Sequence, residues 1–317
     1  MNNPVERVRA NHRARALVAP ELRRGLRSLP ALPPLQELVA RLPGSSRRVA
    51  GLEAGVRHQL VTIDGPGGAL ELHLYRPRQH RTGALVWLHG GGRVAGSARH
   101  DHQVASELAA GAGVLVVSVE YRLAPQHPYP AALDDAWTAL NWLYDHQEEL
   151  AISRDRIAVG GASAGGGLAA ELAQRARDLG LPVAFQLLVY PMLDDRTTGA
   201  HEPLKGASVW SSEKNLQAWR DYLGHPAGEA EDRPWAVAAR CPDFRGLPPA
   251  WIGVGDLDLF LDESLAYARE LEQAHVPCEV HLVPGMFHGA DDLPGRRGPL
   301  MSDFRTRMAR AVHDHIG

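Results

Sequence analysis

Up to about residue 50, the apolar positions recur at helical spacing but are interrupted by Pro30, Pro33, Pro34 and Pro43. Each proline removes a backbone donor and clashes with the preceding turn, so one or two short helices are expected rather than a long one. The period then changes to two. Val56–Ile63 and Ala69–Tyr75 alternate apolar and polar residues around Asp64-Gly-Pro-Gly-Gly68, which predicts a hairpin at a sheet edge. Beyond it, short apolar runs alternate with amphipathic stretches. Strands are predicted at Ala84–Leu88, Val114–Val119, Ile157–Gly160, Ala184–Tyr190, Ala250–Val254 and Glu279–Val283. Helices are predicted at Asp101–Ala110, Ala131–His146, Ala164–Leu179, Asp262–Ala274 and Leu300–Ile316. Unbroken Val/Ile/Leu strands separated by helices mean an α/β protein, a mainly parallel sheet covered on both faces.

One region breaks the alternation. Residues 194–245 lie between two strands but far exceed the ~2–6 residues usual for such a connection. They carry Trp210, Trp219, Tyr222 and Trp235 among polar residues and prolines. An insertion of this length at the active-site end of a sheet is expected to fold as a lid. The expected division is therefore 1–50 and 194–245 as two parts of a helical cap, on a catalytic domain spanning 51–317.

Composition narrows the partners. The formal net charge of −3 gives no cause to expect nucleic acid, and no apolar run reaches the ~18 residues of a membrane span. The N-terminal stretch lacks the apolar core of a secretory signal. Its seven arginines between Arg7 and Arg27, against Glu6 and Glu21, suit a solvated amphipathic cap helix better than a transit peptide. Two cysteines, Cys241 and Cys278, have no metal-like spacing, and a reduced, cytoplasmic protein is expected.

The chemistry centres on Gly161-Ala-Ser-Ala-Gly165, which follows a strand and opens a helix. This is the G-x-S-x-G pattern of a nucleophile elbow, and it marks Ser163 as the candidate nucleophile. A serine needs a base, and the base an orienting acid. Asp256 and Asp258 follow the strand at 250–254, and His288 follows the last strand in Met286-Phe-His288-Gly. Upstream, His89-Gly90-Gly91-Gly92 follows the strand at 84–88, where backbone amides freed of side chains could hold an oxyanion together with the amide of Ala164. His89 itself is expected to support that loop. The glycines of 160–167 lack the Lys-Ser/Thr ending of a phosphate-binding loop, and His281 sits mid-strand with no expected role.

Three segments, His89-Gly-Gly-Gly92, Tyr121-Arg-Leu-Ala-Pro-Gln-His-Pro-Tyr-Pro-Ala131 and Gly161-Ala-Ser-Ala-Gly-Gly166, resemble the hormone-sensitive-lipase-like carboxylesterases of the α/β-hydrolase superfamily. That resemblance, from about residue 50 to the C-terminus, implies an eight-stranded, mostly parallel sheet with a helical cap. It aligns Asp258-Leu-Phe-Leu-Asp262 with the family's acid-bearing stretch, favouring Asp258 as triad acid and leaving Asp262 as a helix N-cap. It implies His288 as base, and Gly91, Gly92 and Ala164 as oxyanion donors with Gly90 a weaker candidate. Three departures stand out: Ala162 before the serine, Gln126 for the usual glutamate, and Arg93 where an aromatic residue is common after the glycines.

The function expected is a serine carboxylic-ester hydrolase working through an acyl-enzyme on short-to-medium acyl esters. No metal or organic cofactor is required. The expected partners are a small-molecule ester and, at most, a second copy of the chain as a homodimer. The alternatives are an amidase or acyl transferase with the same triad, or a non-catalytic small-ligand receptor, whose relatives lose the histidine. Trp210, Trp219, Tyr222 and Arg93 are candidate pocket residues. Arg93 either favours anionic esters or points to solvent or an acid.

Overall fold

Strongly apolar five- and six-residue segments are buried on both faces, which is why they form the middle of a sheet rather than its edge. The computed structural model describes residues 16–23, 52–199, 210–292 and 298–317. In chain order its elements are β1 (Val56–Gly65), β2 (Gly68–Pro77), β3 (Ala84–Leu88), α1 (His102–Ala112), β4 (Leu115–Val119), α2 (Ala131–Asp145) and α3 (Gln147–Leu150). They continue with β5 (Ile157–Ala162), α4 (Ala164–Asp178), β6 (Gln186–Val189), α5 (Ser212–Leu223), β7 (Ala250–Gly255), α6 (Leu261–Gln273), β8 (Cys278–Val283) and α7 (Pro299–Ile316).

The eight strands form one sheet in the order β1-β2-β4-β3-β5-β6-β7-β8. The β1–β2 hairpin lies at the edge, antiparallel, with Val56 opposite Pro77 and Gly65 opposite Gly68. β2 joins β4 antiparallel, and every later pair is parallel. All five residues of β3 and of β4 are buried. Their side chains alternate between two cores. Val86 and Leu88 face a core shared with α2, α4 and α6, while Leu85 and Trp87 face one shared with α1 and α7. The described N-terminal piece belongs to the second core through Val18 and Leu22.

Two boundaries differ from expectation for local reasons. The strand at 186–189 stops before Tyr190, whose φ of 34° leaves the extended region. The helix expected to open at an Asp262 N-cap begins at Leu261 after Phe260, so Asp262 lies inside the first turn. There its carboxylate faces the positive end of the helix dipole instead of capping it. The helices expected within 1–50 lie outside the described residues except for 16–23. Of the 194–245 insertion, α5 is an ordinary capped helix. Ser211 accepts the Lys214 N–H at its start, and Gly224 adopts φ 78° at its end.

Candidate active site

Four loops emerge at the C-terminal edge of the parallel strands, the edge where such sheets bind ligands. After β5 the chain must turn straight into α4, and Ser163 makes that turn at φ 56°, ψ −121°. A non-glycine residue held there costs about 1–3 kcal/mol and persists only if its surroundings over-determine it. They do: Ser163 donates its N–H to Val189 (2.9 Å), and its carbonyl accepts from Met192 (2.9 Å) and Gly167 (3.1 Å). The flanking glycines permit the crossing. A Cβ on Gly165 would overlap the Leu88 carbonyl, and one on Gly161 would overlap the Gly165 and Leu88 backbone.

Ser163 Oγ lies 2.9 Å from Nε2 of His288. On the far side of the ring, Nδ1 lies 3.0 and 3.1 Å from the two oxygens of Asp258. All three residues are buried. Asp258 also accepts the Phe260 N–H at 2.9 Å, which orients its carboxylate. The imidazole is wedged edge-on between the rings of Tyr190 (4.8 Å) and Phe260 (5.0 Å). Asp256, the other acid that the sequence leaves open, accepts the Gly285 N–H at 2.7 Å and so pins the loop that carries His288.

The glycine loop lies alongside. A Cβ on Gly90 would stand 3.4 Å from that of Ser163. Gly91 and Gly92 have φ of 116° and 66°, a conformation that glycine adopts without strain. Among the described residues, the amides of Gly91, Gly92 and Ala164 donate to no protein acceptor. Free N–H groups beside a serine hydroxyl are what a developing oxyanion needs. His89 is fully buried, and desolvation drops its pKa to about 4, so its ring is neutral near neutral pH. Its Nδ1–H donates to the Gly90 carbonyl at 2.8 Å. It therefore sits under the loop and away from the reacting atoms.

Arg93 departs from the anionic-substrate expectation. It is fully buried at φ 63°, and its Nη2 donates to Glu171 of α4 at 2.7 Å. Its guanidinium lies against the rings of Tyr222 (4.1 Å) and Trp219 (4.6 Å), both on α5. Burial works against the charge, but the neighbouring carboxylate outweighs it and Arg93 is held protonated. The acid-paired alternative is the one found, and Trp219 and Tyr222 enclose Arg93 at full burial. Trp210 is different: its ring packs against Gly92, where a Cβ would overlap it.

Sequence patterning missed the residues that brace this assembly. Tyr121, the first residue of the second family-like segment, donates its hydroxyl to the His89 carbonyl at 2.7 Å and stacks on that ring at 4.1 Å. Arg122 makes a two-pronged ion pair with Asp135, and Ala124 donates to the Arg93 carbonyl at 2.9 Å. The segment is a brace for the glycine loop, a role visible only once the partners are known. Gln126, one of the departures from the family pattern, is exposed. Asp291, close to His288 in sequence, is engaged by the Tyr190 hydroxyl at 2.8 Å, and burial raises its pKa. Among the described residues no group of His, Cys, Asp or Glu could hold a metal ion.

A family model described as the alpha/beta hydrolase fold matches residues 85–291. The esterase LipI of Mycobacterium tuberculosis is 38% identical over 235 residues, covering 72% of this chain and 73% of that protein. An ethyl acetate hydrolase of Pseudomonas putida is 35% identical over 237 residues, covering 72% and 73%. Among solved structures, a bacterial heroin esterase superposes with a TM-score of 0.83 at 31% identity, over 95% of this chain and 99% of the other. Esterase LipW from Mycobacterium marinum superposes with a TM-score of 0.77 at 37% identity, over 83% of each chain.

Proposed function

Since the chain belongs to the α/β-hydrolase fold family, among its hormone-sensitive-lipase-like carboxylesterases, we propose that it cleaves carboxylic esters through an acyl-enzyme on Ser163. One observation carries this: the chain of contacts from Ser163 Oγ to His288 Nε2 at 2.9 Å, and from His288 Nδ1 to Asp258 at 3.0 Å. His288 takes the proton from Ser163 as the oxygen attacks the ester carbonyl. Asp258 holds the ring in the tautomer that leaves Nε2 free to accept, and stabilises the imidazolium. Negative charge builds on the carbonyl oxygen, where the amides of Gly91, Gly92 and Ala164 receive it. His288 then protonates the departing alcohol. Water, activated by the same ring, attacks the acyl-enzyme and returns Ser163.

The substrate class is argued from the surroundings. Trp210 against Gly92 closes the glycine loop on one side, which favours short-to-medium acyl groups, and a relative named for ethyl acetate hydrolysis supports this. The named relatives are esterases, so the amidase, acyl-transferase and receptor alternatives have no support among them. We assign α5 and the N-terminal segment to a cap. In support, Ala19 donates to Gly285 at 3.1 Å, just before the loop of His288. Cys241 and Cys278 are unpaired, which favours a reducing, cytoplasmic setting. No helix among the described residues is long and apolar enough to cross a membrane. A p-nitrophenyl ester series of rising acyl length tests the acyl range, with turnover expected to peak at short chains. Ser163→Ala is expected to abolish turnover, and retained ester hydrolysis by that variant would refute the mechanism.

A further inference from the structure

Arg93 is an unusual residue to find where it is. It directly follows Gly91 and Gly92, is wholly buried, and holds a left-handed backbone conformation at φ 63°. Three side chains from two elements converge on its guanidinium. Glu171 comes from α4, the helix that begins at Ala164, and its carboxylate takes the guanidinium at 2.7 Å. Trp219 and Tyr222 come from α5, within the 194–245 insertion, and their rings cover it at 4.6 and 4.1 Å. The Tyr222 hydroxyl reaches Glu171 at 3.3 Å, closing the contacts into a ring. The backbone is tied in as well. The Arg93 carbonyl accepts from Ala124, and the Tyr222 carbonyl accepts from Tyr129, so the 121–131 segment bridges the same two elements.

We propose that Arg93 is a positioning residue that clamps the Gly91 and Gly92 amides to the nucleophile helix and to cap helix α5, so that the placement of the cap sets the geometry of the oxyanion site. This rests on the assignment of those amides as oxyanion donors. A planar, always-charged guanidinium can satisfy a carboxylate at its edge and two aromatic faces at once, which an ammonium cannot. A small displacement of preorganised donors is felt in the transition state, where the charge resides, and little in substrate binding.

The test uses the full chain, with active sites counted by titration to completion with a fluorophosphonate probe. Arg93→Lys and the charge-neutral double variant Arg93→Met/Glu171→Gln are compared with the wild type on p-nitrophenyl butyrate. The double variant leaves no buried charge unpaired, so folding is preserved. Both are expected to lose about 10–100-fold in kcat with KM within about threefold. Affinity for a trifluoromethyl ketone, whose adduct carries the oxyanion, is expected to fall by the same factor. Trp219→Leu, which removes one face of the clamp from α5, is expected to give the same pattern at about 3–10-fold. The proposal is overturned if kcat stays within twofold, if KM alone changes, or if kcat falls while ketone affinity does not. Failure of the nucleophile assignment has its own signature, namely probe uptake or turnover by Ser163→Ala.

Discussion

Two buried carboxylates lie close to His288, and their hydrogen bonds separate their roles. Asp258 faces Nδ1 with both oxygens and has its own orientation set by the Phe260 amide. Asp291 accepts instead from the Tyr190 hydroxyl, whose ring packs edge-on against His288. Replacing Asp258 by Asn presents an amide to the ring and favours the wrong tautomer, so Asp258→Asn is expected to lower kcat by about 10⁴. In Asp291→Asn the amide oxygen can still accept from Tyr190, and the loss is expected to stay below about tenfold. Steady-state kinetics of the two variants distinguishes the carboxylates. Comparable losses would show that the assignment of Asp258 as the sole orienting acid is wrong.

At the scale of the element, the site depends on how closely β3, β5 and α4 can approach. Gly165, the second residue of α4, lies against the backbone at the end of β3, where any side chain would overlap the carbonyls of Leu88 and His89. No rotamer relieves an overlap with backbone atoms. Gly165→Ala is therefore expected to cost about 3 kcal/mol, the upper range for overpacking. Chemical denaturation reads it, and an unchanged midpoint would show that β3 and α4 can move apart freely. Gly180, at the far end of α4, has open space around it but φ 73°, so its constraint is conformational alone.

For the whole molecule, buried titratable groups set the pH range of stability. The His89 pKa is about 4 in the folded protein against 6.5 when unperturbed, because burial disfavours the charged ring. As pH falls below 6.5, the unfolded chain takes up the proton first and stability is lost until about pH 4. The displacement corresponds to at most about 3–4 kcal/mol. Glu120, whose carboxylate accepts the Ala98 N–H, acts oppositely: burial raises it to about 7, and its contribution is lost as pH rises from about 4.5 to 7. Stability measured by urea unfolding at pH 8 and pH 4.5 is expected to fall less on acidification in His89→Asn than in the wild type. Glu120→Gln is expected to be relatively more stable at pH 8. Parallel curves for all three proteins would refute both assignments.

The order of strands and helices was legible because each buried strand is an uninterrupted apolar run and each helix keeps its own period. The candidates Ser163, His288 and the glycine loop could also be picked out locally, because the proposed chemistry demands local backbone patterns: small residues at a sharp turn, and glycines where amides must lie bare. Asp258 required the family frame, since Asp256 sits in an equivalent local setting and only the fold shows which carboxylate meets the ring and which pins the Gly285 amide. Arg93 was beyond any local pattern. Its partners Glu171, Trp219 and Tyr222 lie 78, 126 and 129 positions away along the chain, and only their convergence turns an apparent substrate-facing charge into an internal clamp. The chain by itself determined which groups are available for the reaction. The tertiary structure decided which of them face one another, because hydrogen bonds and ion pairs act over a few ångströms of space, whatever the separation in sequence.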